Sequence, residues 1–513
     1  MSGLFRGKFA LVTKIIFLGI TTAIMALLTE HAFAQKQFVI GSFILIATLA
    51  LNIVYLTKIS IPFKFFLPGI LFFFAFVIAP IFFTVQMSGY KYQTGNYLDK
   101  PAALEQVLIL GAQPDAAGTT FDLNVGKTPS NEYAILVSDI TNNKYFVSTK
   151  TQRTDLLKAS LKFDANGVAI AAPNFTPISA IELAKNDAYS KINYMYEGKY
   201  YIAIEGQNTG GVFRQELSYD AKTGVLTNSA TGATYVDNHR GNFAKVGSPS
   251  EILNPGWRAP IWFENYSRLF SDPKIRTPLI RVFTWTFFFA AFTVLSTFGL
   301  GLLLAMALNR AMRGRRIYRS ILILPYAMPS VMSILIWAGM FDSDFGAVNS
   351  ILHTSVHWFQ NPMLARGVVL LVNLWLGFPY FYLICSGSLQ AIPNELMEAA
   401  AIDGANPRQV FRKITLPLLL QILSPLLIAS FAFNFNNFNL IYLLTGGGPT
   451  QTLNGEIAGS TDILISYTYK IAFGNPNLQD FGLASAISVL IFLIVASISM
   501  YGLRRSKVME TFV

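Results

Sequence analysis

The chain has 513 residues, of which 53% are hydrophobic and only 13% charged, and its mean hydropathy is +0.45. Soluble domains carry about 25% charged residues, so this chain cannot cover itself with polar surface in water and reads as a membrane protein. The net charge of +11 does not mark a nucleic-acid binder, because no basic cluster interleaved with base-stacking aromatics is present.

Mainly apolar runs of about 18 or more residues, roughly enough to cross a ~30 Å hydrocarbon layer, predict eight spans at 9–28, 38–57, 65–87, 282–308, 321–341, 367–390, 418–443 and 482–503. Residues 1–64 thus hold the first two spans, 65–87 the third and 282–503 the last five. The first run follows Arg6 and Lys8 and ends before Ala32-Phe33-Ala34, which has the small-x-small form of a signal-peptidase site. Cleavage there would leave seven spans; the length of the run favours retention.

Lys and Arg accumulate on cytoplasmic loops. With the N-terminus inside, inner segments collect sixteen of them, including Arg6, Lys58, Arg310, Arg313, Arg315, Arg316, Arg319, Arg408, Arg412, Lys413 and Lys507, against only Lys36, Arg281, Arg366 and Lys470 in the outer short loops and span edges. This bias puts the insert 391–417 and the tail 504–513 in the cytoplasm. It leaves 88–281 outside.

That outer segment, about 190 residues and long enough for its own core, reads as β-rich. Tyr133-Ala-Ile-Leu-Val-Ser, Lys144-Tyr-Phe-Val-Ser and Lys199-Tyr-Tyr-Ile-Ala-Ile-Glu combine β-branched and aromatic residues, with turn signals at Thr141-Asn-Asn-Lys and Asp220-Ala-Lys-Thr-Gly. One or two helices are expected within 152–190.

Catalytic signals are scarce. Cys385 is the single cysteine and lies within a span, which excludes a disulfide framework or a cysteine metal site. His353 and His357 stand at i,i+4 spacing in an outer loop without the glutamate of a zincin motif. Neither a Gly-x-Ser-x-Gly elbow nor a phosphate-binding Gly-x-x-x-x-Gly-Lys occurs. No cofactor is expected, and no enzymatic activity; transport against a gradient would need an ATPase on another chain.

The polar faces inside the spans admit two readings. Asn373, Gly377 and Tyr380 fall at i, i+4 and i+7 of the sixth span, and Ser430, Phe433, Asn434 and Asn437 trace one face of the seventh. Such groups either tie helices together or line a cavity in which aromatic rings and amides meet a sugar. Pro379 removes a helix hydrogen bond and crowds the Trp375 carbonyl. Asn436 and Asn439 point away from that face and are expected at helix contacts.

The cytoplasmic insert contains Glu398-Ala-Ala-Ala-Ile-Asp-Gly404 and, ten residues on, Ile414-Thr-Leu-Pro417. An amphipathic helix, a glycine break and a basic helix suit docking on another protein, with Leu396, Met397, Ala400 and Ala401 seated in its cleft and Gly404 allowing both the turn and a close approach. This stretch resembles the EAA loop of importer permeases of the ATP-binding-cassette class. Phe263-Glu-Asn-Tyr-Ser-Arg-Leu-Phe270, Leu324-Pro-Tyr-Ala-Met-Pro-Ser330, Asn373-Leu-Trp-Leu-Gly-Phe-Pro-Tyr380, Ser430-Phe-Ala-Phe-Asn-Phe-Asn-Asn-Phe438 and Leu444-Thr-Gly-Gly-Gly-Pro449 are similar to sugar-importer permeases. With the large outer domain, the layout resembles the larger permease subunits of maltose/maltodextrin importers.

The resemblance implies a type I importer core with a β-rich periplasmic domain after the third span, in a bacterial inner membrane. It implies a sugar site at Asn373, Leu376, Gly377, Tyr380, Ser430, Phe433, Asn434 and Asn437, and ATPase coupling through Glu398, Ala399, Ala400 and Gly404. The partners it implies are a second, smaller permease subunit, a homodimeric cytoplasmic ATPase, a periplasmic sugar-binding protein that delivers its cargo to the outer domain and the Gly446–Pro449 loop, and maltose or maltodextrin. A related permease for another glycoside or polyol, or a membrane receptor or scaffold, are the alternatives.

Overall fold

A computed structural model describes residues 8–505 apart from 36, 58–60, 116, 186–187, 199, 207, 310–312 and 451–456. Arg6, Lys36, Lys58, Arg310, Lys507 and the tail beyond 505 lie outside the described residues. Among the described residues seven helices are long and apolar enough to cross a membrane, and the count is eight if a sharply bent helix pair is taken as one span.

The first of two structural units ends at Met87. It contains α1 (Lys8–Ala34), α2 (Phe38–Leu56) and nearly all of α3 (Ile61–Ser88), with Ala32-Phe33-Ala34 forming the last turn of α1. Lipid offers apolar helices no hydrophobic gradient toward each other, so polar pairs and close packing hold them together. Here the Asn52 amide donates to Thr22 Oγ1 over 2.9 Å, joining α2 to α1.

The second unit starts at Ser88. Its strands lie between Tyr90 and Pro260. The main path of the larger sheet runs, in spatial order, through Tyr194–Met195, Tyr200–Ile204, Thr209–Gln215, Thr120–Lys127, Tyr133–Asp139, Lys144–Ser148 and Arg153–Leu156. Alternation along these strands buries Leu123, Val125, Ile135, Val137, Phe146 and Ile202 in one core. The turn expected after Tyr133–Asp139 forms because the Asp139 carboxylate accepts from the Asn142 backbone and amide at 3.0 and 2.9 Å. A five-stranded antiparallel sheet follows in simple order, and its first hairpin turns at Gly224 with φ of 71°.

Segment 152–190, where one or two helices were expected, holds one brief α-helix, α5 (Ala180–Lys185), among short strands. A longer helix, α4 (Lys100–Leu110), lies earlier, where none was expected; Asp99 caps it by accepting from Ala102 N at 3.1 Å. The Asp99-Lys-Pro signal was present in the sequence.

Strands return the chain to the membrane through α6 (Glu264–Ser271). The buried Asn265 amide donates to the Ser88 and Tyr90 carbonyls at 2.9 and 3.0 Å. Arg268 Nη1 donates to Asp480 Oδ2 at 3.0 Å, at the start of the last long helix. The base of the outer domain is therefore locked to the helical core by satisfied polar groups.

The core comprises α7 (Pro273–Ala307), α8 (Arg315–Ala327), α9 (Ser330–Met340), α10 (Ala347–Leu352), α11 (Pro362–Ala391), α12 (Asn394–Ile402), α13 (Pro407–Phe435), α14 (Phe438–Thr445), α15 (Leu464–Phe473) and α16 (Phe481–Arg505). Helices α7 and α11 cross closely at Gly301, where an added Cβ would sit 2.7 Å from the Tyr382 nitrogen. His353 ends α10 in the left-handed region, φ 50°, so the two histidines do not share a helix face. No potential metal cluster occurs among the described residues.

Two of the expected continuous spans are broken. Residues 321–341 fall in α8 and α9, which meet at a 93° bend. Pro329 bars Met328 from the helical region, and Met328 takes ψ of 141°. The span expected over 418–443 stops at Phe435, because Asn436 and Asn437 leave helical geometry and α14 restarts beyond them. Asparagine favours caps over helix interiors, and Asn437 Oδ1 accepts from Leu440 N at 3.4 Å as the new N-cap.

Candidate functional site

These two breaks flank a cavity of about 630 Å³ in the helical core, reached by the middle of α11. Asn373, Leu376, Gly377 and Tyr380 from α11, Ser430, Phe433 and Asn434 from α13, and Asn437 from the break after it all line the cavity. The structure thus brings together every residue singled out for the sugar site. Tyr326, Met328, Ser330 and Asn439 join them. These had been missed because a continuous helix was assumed through each break; Pro325 and Pro329 within one apolar run were the available signal.

The amides do not stand alone. Asn373 Nδ2 donates to Thr293 Oγ1 at 3.2 Å and to Asn434 Oδ1 at 2.8 Å. Asn434 Nδ2 donates to the Ser430 carbonyl at 2.8 Å, and Asn437 Nδ2 to Asn373 Oδ1 at 3.4 Å. An unpaired amide at membrane depth costs several kcal/mol, and this chain of bonds removes that cost while joining three helices. Helix pairing and cavity lining are therefore both properties of the same side chains. Gly377 is likewise double, since an added Cβ would lie 2.9 Å from Thr297 Cγ2 on α7 as well as narrow the cavity.

Asn436 and Asn439 separate. The Asn436 amide bonds its own helix at the Ala432 carbonyl, 3.2 Å. Asn439 lies beyond the break, so the helical wheel of α13 does not fix its direction, and it lines the cavity instead of a helix contact.

Beyond α14, Gly446 and Gly447 adopt φ of 59° and 80°. A Cβ on Gly447 would collide with Asp462 Oδ1. Asp462 is fully buried and accepts from Gly459 N at 2.6 Å, Ser466 Oγ at 2.8 Å and Lys470 Nζ at 2.7 Å. Burial pushes its carboxyl up, against the opposing pull of the Lys470 ammonium. Removing one member of a buried pair leaves an uncompensated charge at a cost of about 3–5 kcal/mol. Lys470→Met should therefore lower the thermal midpoint of the purified protein strongly, and adding Asp462→Asn should recover most of the loss.

On the insert 391–417, α12 carries Glu398, Ala399 and Ala400, three of the residues expected to couple to an ATPase. Glu398 and Ala399 are exposed, whereas Ala400 is 8% exposed and turns inward. Met397 packs into the chain's own core with Leu419 and accepts from Thr415 Oγ1 at 3.9 Å. The docking face expected from Met397 and Ala400 is thus already occupied. Leu396, Ala401 and Ile402 remain open, Ile402 at 87% exposure.

Gly404 has φ of 77°, a conformation that L side chains rarely adopt, and a Cβ there would meet nothing within 4 Å. The requirement within this chain is therefore the turn and not a close approach. Asn406 and Gln409 then cap α13 reciprocally, at 2.9 and 2.8 Å.

A bundle of membrane spans around a cavity that presents amides, a phenol and aromatic rings, with a partly exposed helix on the insert between two spans, defines the membrane component of a transport system. A family profile described as "Binding-protein-dependent transport system inner membrane component" matches residues 277–507, and the chain belongs to this family of multi-pass inner-membrane permeases. Over nearly its whole length it is similar to maltose/maltodextrin transport system permease proteins MalF. The protein from Vibrio vulnificus is 37% identical over 509 residues, covering 96% of this chain and 93% of that protein. The one from Salmonella typhimurium is 35% identical over 500 residues, covering 96% of each. Among solved structures, a bacterial ABC transporter involved in import of the acidic polysaccharide alginate gives a TM-score of 0.41 at 21% identity, covering 48% of this chain and 84% of that one.

Proposed function

We propose that this chain is the larger permease subunit of an ATP-driven, binding-protein-dependent importer of maltose and maltodextrins. The observation that carries the proposal is the cavity in which amides, a phenol and aromatic rings converge at membrane depth, in a chain similar from end to end to permeases named for that sugar. Aromatic faces stack on the apolar faces of a pyranose, and amides and hydroxyls bond its hydroxyl groups.

The chain hydrolyses nothing itself. ATP binding on a homodimeric cytoplasmic partner moves α12 through the open face around Glu398 and Ile402, and the spans alternate between outward and inward openings. A periplasmic binding protein delivers the sugar to the outer domain and the Gly446–Pro449 loop, and a second, shorter permease completes the pathway. Both termini face the cytoplasm. Reconstitution with these partners tests the proposal: maltose and short maltodextrins should stimulate ATP hydrolysis, and stimulation by an unrelated polyol but not by maltose would reject it.

A further inference from the structure

Three aromatic rings stand out from the base of the β-rich segment: Trp262, Phe263 and Phe270 are 73%, 78% and 61% exposed. Helix α6 fixes where two of them point. Its inner face is occupied, since Leu269 is buried in the helical core, Asn265 bonds the Ser88 and Tyr90 carbonyls, and Arg268 bonds Asp480. Phe263, the residue before α6, and Phe270 are seven residues apart and so share the face turned away from Asn265 and Leu269. Trp262 precedes them in a left-handed conformation, φ 54°, which is costly for so bulky a residue. It is held there because the Ile261 and Trp262 backbone N–H groups both donate to the Gly89 carbonyl at 2.8 Å.

This constrained corner lies at a membrane entry. Gly89 follows the last residue of α3, and a single residue separates α6 from α7, whose Ile280, Phe283 and Phe287 are exposed as on a lipid-facing span. Lys274 and Arg276, in the first turn of α7, are exposed as well.

We propose that Trp262, Phe263 and Phe270 form a lipid-binding strip, inserted at the boundary between headgroups and acyl chains in the leaflet on the side of the β-rich segment, with Lys274 and Arg276 beside lipid phosphates. Indoles collect at that boundary because the ring is apolar and its N–H is polar, and an amphipathic helix with Phe on its apolar face lies in the same plane. Basic side chains at a span end extend their charged heads to the headgroups. The β-rich segment is thereby seated on the bilayer at its base, in addition to being joined to the core through Asn265 and Arg268.

The test is tryptophan quenching in proteoliposomes holding this chain with its partner subunits. The chain has six tryptophans, so the Trp262 signal is read as the difference between the wild type and Trp262→Phe, and every other tryptophan cancels. Lipids brominated high on the acyl chain should remove most of that signal, lipids brominated near the chain end much less, and iodide in the water little. Replacing Phe263 and Phe270 together by serine should lower the lipid quenching and raise the iodide quenching, with an unaltered circular-dichroism spectrum showing that the fold is kept. Dominant quenching by iodide or by the deep bromines, or unchanged quenching in the serine variant, overturns the proposal. Protection from lipid and water quenchers alike overturns it too, because another subunit then covers the rings.

Discussion

Gly377→Phe is expected to reduce maltose uptake by on the order of a hundredfold while leaving the assembled complex able to bind ATP. Two effects act together. The Cβ alone would approach Thr297 Cγ2 to 2.9 Å, tighter than ordinary contact, so α7 and α11 must separate slightly; overpacking of this kind costs about 1–3 kcal/mol. The ring must then occupy the cavity of about 630 Å³ that the amides and Tyr380 surround. Gly377→Ala separates the effects, because it imposes the strain without filling the cavity. It should lower the thermal midpoint modestly and preserve most uptake, measured as accumulation of labelled maltose in proteoliposomes.

Gly404→Pro is expected to release the ATPase. Proline fixes φ near −65°, whereas Gly404 needs 77°, and its missing N–H would also remove the bond to the Ala401 carbonyl at 3.1 Å. The turn between α12 and α13 cannot form in that state. Gly404→Ala should be milder, since space is open around the position and only the left-handed backbone is penalised, by about 1–2 kcal/mol. Glu398→Lys is the complementary change. No hydrogen bond engages Glu398 among the described residues and the side chain is exposed, so reversing its charge should leave the thermal midpoint of the isolated chain unaltered. The ATPase retained on co-purification should nevertheless fall strongly, and full retention with either Gly404→Pro or Glu398→Lys would refute the coupling role.

The spans, the β-rich outer segment and the shared helix faces of the polar residues were legible in the sequence from local pattern, whereas their gathering around a cavity was implied by the family resemblance and not by periodicity. Asn373, Gly377 and Tyr380 share a helix face by spacing alone, and α11 is unbroken through them. What periodicity could not give was the interruption of a helix inside an apolar run. Hydropathy does not register that Asn436 and Asn437 end one helix and start another, so the direction of Asn439 was misjudged. The 93° bend at Met328 and Pro329 escaped for a similar reason, although the proline was visible. The inward turn of Met397 and Ala400 depends on packing against Leu419 and Thr415, a tertiary fact that the local pattern of an amphipathic helix leaves open. Gly404 was recognised as necessary, and the backbone angle shows that within this chain it is the turn, and not crowding, that requires it.

In the proposed function this chain provides the membrane path for a sugar, and ATP hydrolysed on a partner drives transport through it. The most direct measurement is accumulation of labelled maltose inside proteoliposomes containing the complete complex, with ATP and the binding protein each present or withheld. Internal maltose should rise above the external concentration only when both are supplied, and Gly377→Phe should abolish that rise while ATP hydrolysis continues. Accumulation without ATP, or undiminished accumulation through Gly377→Phe, would contradict the account.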